Sequence, residues 1–198
     1  VVVLFLIVVF FLFKNDSILL RNHIDHELYH LALLKKQEID DKFESQYNAA
    51  EFFQQTTFFA KGIYSFIDNP TDTSLKNQIS ERLWASNKDR RYVQMAVLSK
   101  DKKVFHSINP SYSFNYLTKK AIDSAFKYNA IIQTIPFKDS SLNLWLRTYV
   151  VPIKRNNKSS SAAIVLVYDL SKKIFPVLKE WPSLHKIPEI FLCVKVFL

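Results

Sequence analysis

The segment with the clearest catalytic potential is His26-Glu27-Leu28-Tyr29-His30, which matches the H-E-x-x-H pattern of zinc-dependent proteases. On a helix the two histidines lie one turn apart and can share a zinc ion, while the glutamate acts as a base toward a bound water molecule. His23 adds a third imidazole on nearly the same face. A protease also needs a ligand from another element, whereas Glu44 and Glu51 lie on the same predicted helix, roughly 20 Å or more along its axis. Solvated histidines are therefore the default interpretation, and adventitious zinc binding and a zinc protease using His26, Glu27 and His30 are alternatives.

The glycine and cysteine content excludes several other kinds of active site. Among 198 residues there are one glycine, Gly62, and one cysteine, Cys193. Phosphate-binding loops, dinucleotide-binding fingerprints and the nucleophile elbow of serine hydrolases all require glycines at fixed positions, so none of them can form here. The single cysteine rules out a disulfide within the chain and a metal site built from several thiolates.

The positive charge does not point to nucleic acid. The formal net charge is +9, but the lysines and arginines fall in short groups at predicted turns and helix ends. A nucleic-acid surface instead requires a basic stripe on one face, with aromatic side chains for stacking. We therefore predict no nucleic-acid partner, and interpret the charge as solvated loops with some attraction to anionic lipid.

A second group of residues with chemical potential lies on a predicted strand, residues 142–153. Alternation along this strand places Asn143, Trp145, Arg147 and Tyr149 on one side. The other side carries aliphatic residues, which are Leu142, Leu144, Leu146 and Val150. We expect the aliphatic side to pack on a long helix, which would leave Arg147 and its aromatic neighbours on the opposite face.

Such a face suits a small organic ligand. The guanidinium of Arg147 offers a planar fork for a carboxylate, and neighbouring aromatic rings can form the walls of a pocket. On the next predicted strand Asp169 could accept an amine. The candidate ligand-binding residues are Arg147, Trp145, Tyr149, Tyr168, Asp169 and His106. The alternative is an ordinary exposed sheet face, in which Arg147 pairs with an acid and the aromatic residues are cross-strand partners.

The element expected to position these residues is one long helix over residues 17–68. Apolar residues recur three or four positions apart along it, as in a helix with one buried stripe. No proline interrupts the run until Asn69-Pro70, where the residue before proline leaves the helical region. A helix of this length would extend roughly 75 Å, about twice what a small domain needs, so we interpret it as a stalk.

Residues 1–13 precede the stalk and are all apolar and uncharged. A bilayer crossing takes about 20 such residues. A signal peptide would require a basic segment before the apolar run and a cleavage site after it, and Lys14-Asn15-Asp16 provides no such site. We therefore interpret the segment as part of a transmembrane anchor.

A mixed α and β pattern follows the stalk. A short helix begins near Asp72, and the apolar period then changes to that of strands over residues 92–99 and 104–108. An amphipathic helix over residues 116–128 precedes three further strands, and a last helix ends before Pro182. The predicted strands of this second group cover residues 130–137, 142–153 and 162–169. Five antiparallel strands with helices against the sheet predict an α+β domain of PAS-like kind.

The chain resembles the extracytoplasmic double Cache region of bacterial transmembrane receptors, of the sensor histidine kinase or diguanylate cyclase type. Three segments carry the resemblance: YVQMAVLSKDKKVFHS at residues 92–107, SAAIVLVYDLSKKIFPVLKEWP at residues 161–182, and PEIFLCV at residues 188–194. The resemblance implies an anchor at residues 1–13, a stalk helix at 14–68, a sensor module at 69–186 and the start of a second module at 187–198. It also implies that the chain is truncated at both ends.

The leading hypothesis is therefore a membrane-anchored sensor without catalysis of its own. The resemblance implies a periplasmic folded domain, single-pass anchoring in the inner membrane and a small ligand such as an amino acid, carboxylate or amine. It also implies homodimerisation and an output domain located elsewhere in a two-component or related signalling protein. No cofactor is predicted. The alternatives are the zinc protease and a truncated membrane stub that does not signal.

Overall fold

The computed structural model describes residues 2–155 and 160–179. Within it the chain forms two compact units, Val1–Asp41 and Lys42–Leu198. The first unit consists of the initial part of the first helix. The second contains the sheet and the other helices. The predicted start of a second module, at residues 187–198, lies outside the described residues.

The predicted stalk helix is present but is divided in two. Helix α1 covers Val2–Gln55 and helix α2 covers Thr57–Asp68. Thr56 between them has an extended backbone, with φ −75° and ψ 99°, and its hydroxyl donates a hydrogen bond of 2.6 Å to the carbonyl oxygen of Phe52. Bonds of this kind compete with the helical backbone pattern and bend helices. The single uninterrupted helix was therefore a wrong expectation at this one position.

The remaining elements follow the predicted order. Helix α3 begins after Asp72, whose side chain accepts hydrogen bonds from the amides of Ser74 and Leu75 and so caps the helix. The elements after Asp72 are α3 (Thr73–Ser86), β1 (Tyr92–Ser99), β2 (Val104–Ser107), α4 (Tyr116–Tyr128), β3 (Ile132–Gln133), β4 (Phe137–Asp139), β5 (Leu144–Ile153), β6 (Ala162–Asp169), α5 (Leu170–Lys173) and α6 (Phe175–Lys179). The predicted α+β class is confirmed. The predicted strand over residues 130–137 forms the two short strands β3 and β4, so the sheet has six strands rather than five.

All strand pairs in the sheet are antiparallel, and the order is β2-β1-β6-β5-β3, with β4 also paired to β5. The central strands β1, β6 and β5 are almost entirely buried. In the pairing of β5 with β6, Arg147 lies opposite Tyr168 and Leu146 lies opposite Asp169. This register decides which of the candidate site residues share a face.

Both faces of the sheet are covered. One face packs against the C-terminal part of α1 and against α2 and α3; its residues include Met95, Val97, Tyr149, Leu166 and Tyr168. The other face packs against α4; its residues include Leu146, Val150, Val165 and Val167. The expectation that the aliphatic side of β5 packs on the long helix was therefore wrong. The side that carries Tyr149 meets α1, because the amphipathic helix α4 covers the aliphatic side.

Non-glycine residues occupy left-handed backbone positions in the described part of the chain. Arg90, Lys102, Asn129 and Asn143 have positive φ angles between 48° and 63°. The one glycine, Gly62, lies within α2 and has no positive φ. Asn129 ends α4, and its side-chain oxygen accepts hydrogen bonds from the backbone amide and hydroxyl of Ser160.

A membrane-spanning segment is not found among the described residues, because none of their helices has an apolar stretch of sufficient length. The predicted anchor at residues 1–13 therefore stays a prediction.

Candidate ligand-binding site around Arg147

Arg147 lies on β5 with 8% of its surface exposed. Its Nε donates a hydrogen bond of 3.2 Å to the carbonyl oxygen of Thr134, and its Nη2 donates one of 2.9 Å to Oε1 of Gln133. Burial lowers the pKa of Arg147 from its usual value, but an arginine stays charged in proteins. The site is therefore organised around a buried positive charge.

Aromatic rings contact this guanidinium. Its central carbon lies 4.2 Å from the ring centre of Phe43 on α1 and 5.4 Å from that of Tyr149. The electron-rich face of a ring attracts a cation at such distances, more strongly when water is excluded. These rings stabilise the charge but do not neutralise it.

No carboxylate among the described residues pairs with Arg147. Its Nη1, which carries two N–H groups, makes no hydrogen bond to any described residue. Arginine is rarely buried without a partner, since leaving a buried charge uncompensated costs free energy. The side chain therefore has donors and charge available for an anion.

The rim of the site adds a second cation and an accessible ring. Trp145 lies two residues before Arg147 on the same side of β5, is 40% exposed, and its ring centre lies 6.4 Å from that of Phe175. Lys138 on β4 pairs directly with Trp145 in the sheet register and is exposed. Directly opposed residues have Cβ atoms about 5 Å apart. Lys138 forms no ion pair with any described residue, so the rim is positively charged.

Tyr149 and Tyr168 connect the sheet to α1. The hydroxyl of Tyr149 lies 3.4 Å from the carbonyl oxygen of Phe43, and that of Tyr168 donates to the carbonyl oxygen of Gln46 at 3.3 Å. The hydroxyl of Tyr92 lies 3.1 Å from that of Tyr168. Burial raises the pKa of Tyr149 to about 12 and also raises the pKa of Tyr168. These two rings are part of the core beside Arg147.

Asp169 lies on the other face of the sheet, opposite Leu146. Its carboxylate accepts hydrogen bonds from the backbone amide and the hydroxyl of Ser171, and so caps α5. Lys172 lies 3.8 Å from the same carboxylate. Asp169 therefore does not point to the side on which Arg147 lies.

His106 lies at the far edge of the sheet. It is on β2, opposite Val97 of β1, and β1 and β6 separate it from β5. Three strand spacings correspond to about 14 Å. Burial and the nearby Lys76 lower its pKa, and its Nε2 makes no hydrogen bond to a described residue. His106 is therefore separated from the Arg147 site.

The structure thus brings together four of the six candidate site residues: Arg147, Trp145, Tyr149 and Tyr168. Sequence reasoning missed Phe43, Gln133 and Lys138. Lys138 could be found only from the register of β4 against β5, and Phe43 only from knowledge of which face α1 covers. The predicted alternation along β5 is correct, but a different element packs on each side.

The protease pattern is not completed by surrounding residues. Nε2 of His23 lies 3.2 Å from the carboxylate of Glu27, the residue that would act as the base. Among the described residues no group of three or more histidine, cysteine, aspartate or glutamate side chains is arranged to hold a metal ion. The described part of the chain therefore provides no third protein ligand for a zinc ion at His26 and His30.

Comparison with known proteins supports the fold. No family model and no curated protein matches the sequence. The sensor domain of the V. cholerae histidine kinase DctB has a similar structure, with a TM-score of 0.59 and 12% identity over 79% of this chain and 59% of that one. A domain of a putative sensory box/GGDEF family protein from Vibrio parahaemolyticus gives 0.54 and 12%, over 73% and 59%. The E. coli DcuS sensor domain gives 0.51 and 10%, over 73% and 99%.

The chain thus spans less than three fifths of the length of the first two of these structures. These similarities confirm the predicted α+β fold of PAS-like kind.

Proposed function

We propose that this chain is the ligand-sensing part of a membrane receptor, and that it detects a small organic anion through Arg147. The observation that carries the proposal is the buried guanidinium, which has two aromatic neighbours and no carboxylate partner among the described residues. The sensor fold supports it, because solved domains of this fold include sensor domains of histidine kinases.

The chemistry of the site favours a carboxylate attached to an apolar or aromatic body. The free Nη1 edge of Arg147 can donate to carboxylate oxygens, while Phe43 covers the face of the guanidinium, so a ligand and this ring need not compete for the same surface. Lys138 at the rim provides further attraction for negative charge. Trp145 offers an exposed ring for the apolar part of the ligand. Asp169 caps α5, so we do not assign it to an amine at this site.

A signal can pass from this site to α1 through short contacts. Arg147 contacts Phe43, and Tyr168 contacts the backbone of Gln46, one helical turn further along α1. A ligand that binds better to one position of β5 relative to this part of α1 will shift the population toward it. The helix that carries Phe43 and Gln46 begins at Val2, and we propose that it is the output element.

We further propose that the folded unit is extracytoplasmic and that residues 1–13 belong to a single-pass membrane anchor. The support is the uncharged apolar composition of those residues and the use of this fold in a histidine kinase sensor domain. The sensing unit would have no catalysis of its own, and the catalytic output would lie in another part of the receptor.

The test is a thermal-shift screen of the whole chain in detergent with mono-, di- and tricarboxylates, amino acids and inorganic phosphate. A ligand at 100 times its dissociation constant stabilises the folded state by about 2.7 kcal/mol. Arg147→Met keeps an unbranched, largely apolar stem at this position but removes the guanidinium, and with it the charge and the contact with Phe43. We expect a carboxylate to raise Tm in the unmodified chain and to have no effect on this variant.

The matched control is Arg155→Met. Arg155 is exposed and forms a two-pronged ion pair with Asp68, at 3.2 Å and 2.7 Å, with its guanidinium over the ring of Tyr64. It therefore tests the loss of one arginine outside the site. A carboxylate shift retained in Arg147→Met would exclude Arg147 as the ligand-binding group. A shift lost equally in Arg155→Met would show that the loss is not specific to Arg147, which would contradict the proposed site.

A further inference from the structure

His26 and His30 converge on the exposed surface of α1, in the first unit of the chain. Their Nε2 atoms lie 3.0 Å apart. The ring centres are 4.3 Å apart and the ring planes are inclined at 86°. Both side chains are exposed, so the two nitrogens are accessible from solvent.

Two imidazole nitrogens on one helical turn can chelate a metal ion. With metal–nitrogen bonds of about 2.0–2.1 Å, nitrogens 3.0 Å apart subtend about 95° at the metal. A tetrahedral ion would require a nitrogen separation of about 3.4 Å, whereas adjacent positions of a square-planar or tetragonal ion require about 2.9 Å. The observed separation is closer to the second geometry.

The neighbouring side chains leave the other coordination positions to water. Glu27 is directed to His23, at 3.2 Å. The ring of Tyr29 lies 6.0 Å from that of His30, and a phenol is not a usual ligand for these ions. The arrangement therefore offers two nitrogen ligands and no neighbouring base.

We infer that His26 and His30 form a two-nitrogen site for Cu²⁺ or Ni²⁺ on the surface of α1. Imidazole suits both ions, both favour tetragonal geometry, and copper binds most strongly among the divalent first-row metals. Binding requires both Nε2 atoms to be free of protons, so the ring that donates in the present contact carries its proton on Nδ1 instead. The bound ion closes a chelate across one turn and thereby stabilises this part of the helix.

This inference is independent of the proposed sensing function, because the residues lie in the other unit of the chain. It is also distinct from the protease hypothesis, because it does not use Glu27. The substitution Glu27→Gln separates the two, since a metal site of this kind retains binding without the carboxylate.

The experiment is a titration of the whole chain with CuCl₂ at pH 7.5, followed by electron paramagnetic resonance and calorimetry. We expect one site with a tetragonal spectrum split by two nitrogens. Affinity should fall at least tenfold in His26→Ala and in His30→Ala and stay within twofold in Glu27→Gln and His23→Ala. Binding should weaken in acidic solution, because protonated imidazoles do not bind metals.

Two results would overturn the inference. One is an unchanged affinity and spectrum in the His26→Ala/His30→Ala double variant, which would place the copper elsewhere. The other is an equal loss of affinity in His23→Ala, which would show that the site is not formed by the two converging nitrogens. Far-UV circular dichroism of each variant establishes that the helix is retained.

Discussion

The guanidinium of Arg147 lies 4.2 Å from the centre of the Phe43 ring, so a charge on β5 is held directly against α1. The two residues are more than 100 positions apart in the sequence. Their contact joins the candidate ligand-binding site to the helix that would transmit a signal.

Replacing Phe43 with leucine should weaken the junction without unfolding the protein. Leucine keeps much of the apolar contact but removes the ring face, and a desolvated cation–ring contact contributes about 1–2 kcal/mol. We expect the free energy of unfolding, measured by urea denaturation, to fall by about this amount. Phe52 on the same helix is 64% exposed, so Phe52→Leu is the matched control and should change stability little. Equal effects of the two substitutions would argue against the contact.

Tyr149 should make the protein sensitive to alkaline pH. Its folded-state pKa is raised to about 12 by burial, above the usual value of 10.0. The folded state therefore disfavours the phenolate, so the contribution of Tyr149 to stability is fully present below pH 10 and is lost as the pH rises toward 12. Denaturation midpoints of Tyr149→Phe should fall less than those of the unmodified chain over this interval. Tyr116, which is 75% exposed, provides the control, and Tyr116→Phe should follow the unmodified chain.

Asp169 should affect stability but not ligand binding. Loss of an N-cap side chain costs about 0.5–2 kcal/mol, so Asp169→Ala should be destabilised by this amount. Asparagine also caps helices well, so Asp169→Asn should retain most of the stability. Both variants should keep the affinity for the carboxylate identified in the thermal-shift screen. A loss of affinity in the well-folded Asp169→Asn variant would instead show that Asp169 takes part in ligand binding.

Lys138 should increase the affinity for an anion only at low salt. The side chain is exposed at the rim, where charges are screened within about 8 Å at physiological ionic strength. We expect Lys138→Gln to weaken carboxylate binding about two- to fivefold at low salt, and to have no effect in concentrated salt. Lys119→Gln, on the exposed side of α4, is the control and should bind normally. A salt-independent loss would show that Lys138 contacts the ligand directly.

The sequence allowed the order and type of elements to be predicted, because the helical and alternating apolar periods differ clearly. It did not show which face of β5 meets α1. A strand buried on one side has a polar side that marks solvent, but β5 is covered on both sides by helices. Its alternation therefore separates two kinds of buried environment. Which side of β5 contacts α1 and which contacts α4 depends on how these two helices pack against the sheet, and alternation along the strand does not show this.

The candidate site was partly predictable for the same reason. Arg147 stood out because a charged residue lies in an apolar strand, and its aromatic neighbours follow from alternation. Asp169 offers a carboxylate for an amine on the strand next to that of Arg147, but consecutive residues of a strand point to opposite faces, so Asp169 and Tyr168 lie on different sides of the sheet. No proline or glycine in the sequence marks the break between α1 and α2 at Thr56. The break is accompanied by a hydrogen bond from the Thr56 hydroxyl to the backbone, which many threonines inside helices also make, so the sequence does not predict it.

The residues with left-handed backbone also affect the unfolded chain. Most proteins would place glycine at such positions, yet Arg90 and Lys102 occupy two of them. A side chain in this backbone region costs about 1 kcal/mol, but it also restricts the unfolded chain more than glycine does. Because only one of 198 residues is glycine, the unfolded ensemble has comparatively little backbone freedom to lose on folding. Replacing Lys102 with glycine thus relieves backbone strain in the folded state and increases the backbone entropy of the unfolded state. These two effects on the free energy of unfolding offset each other.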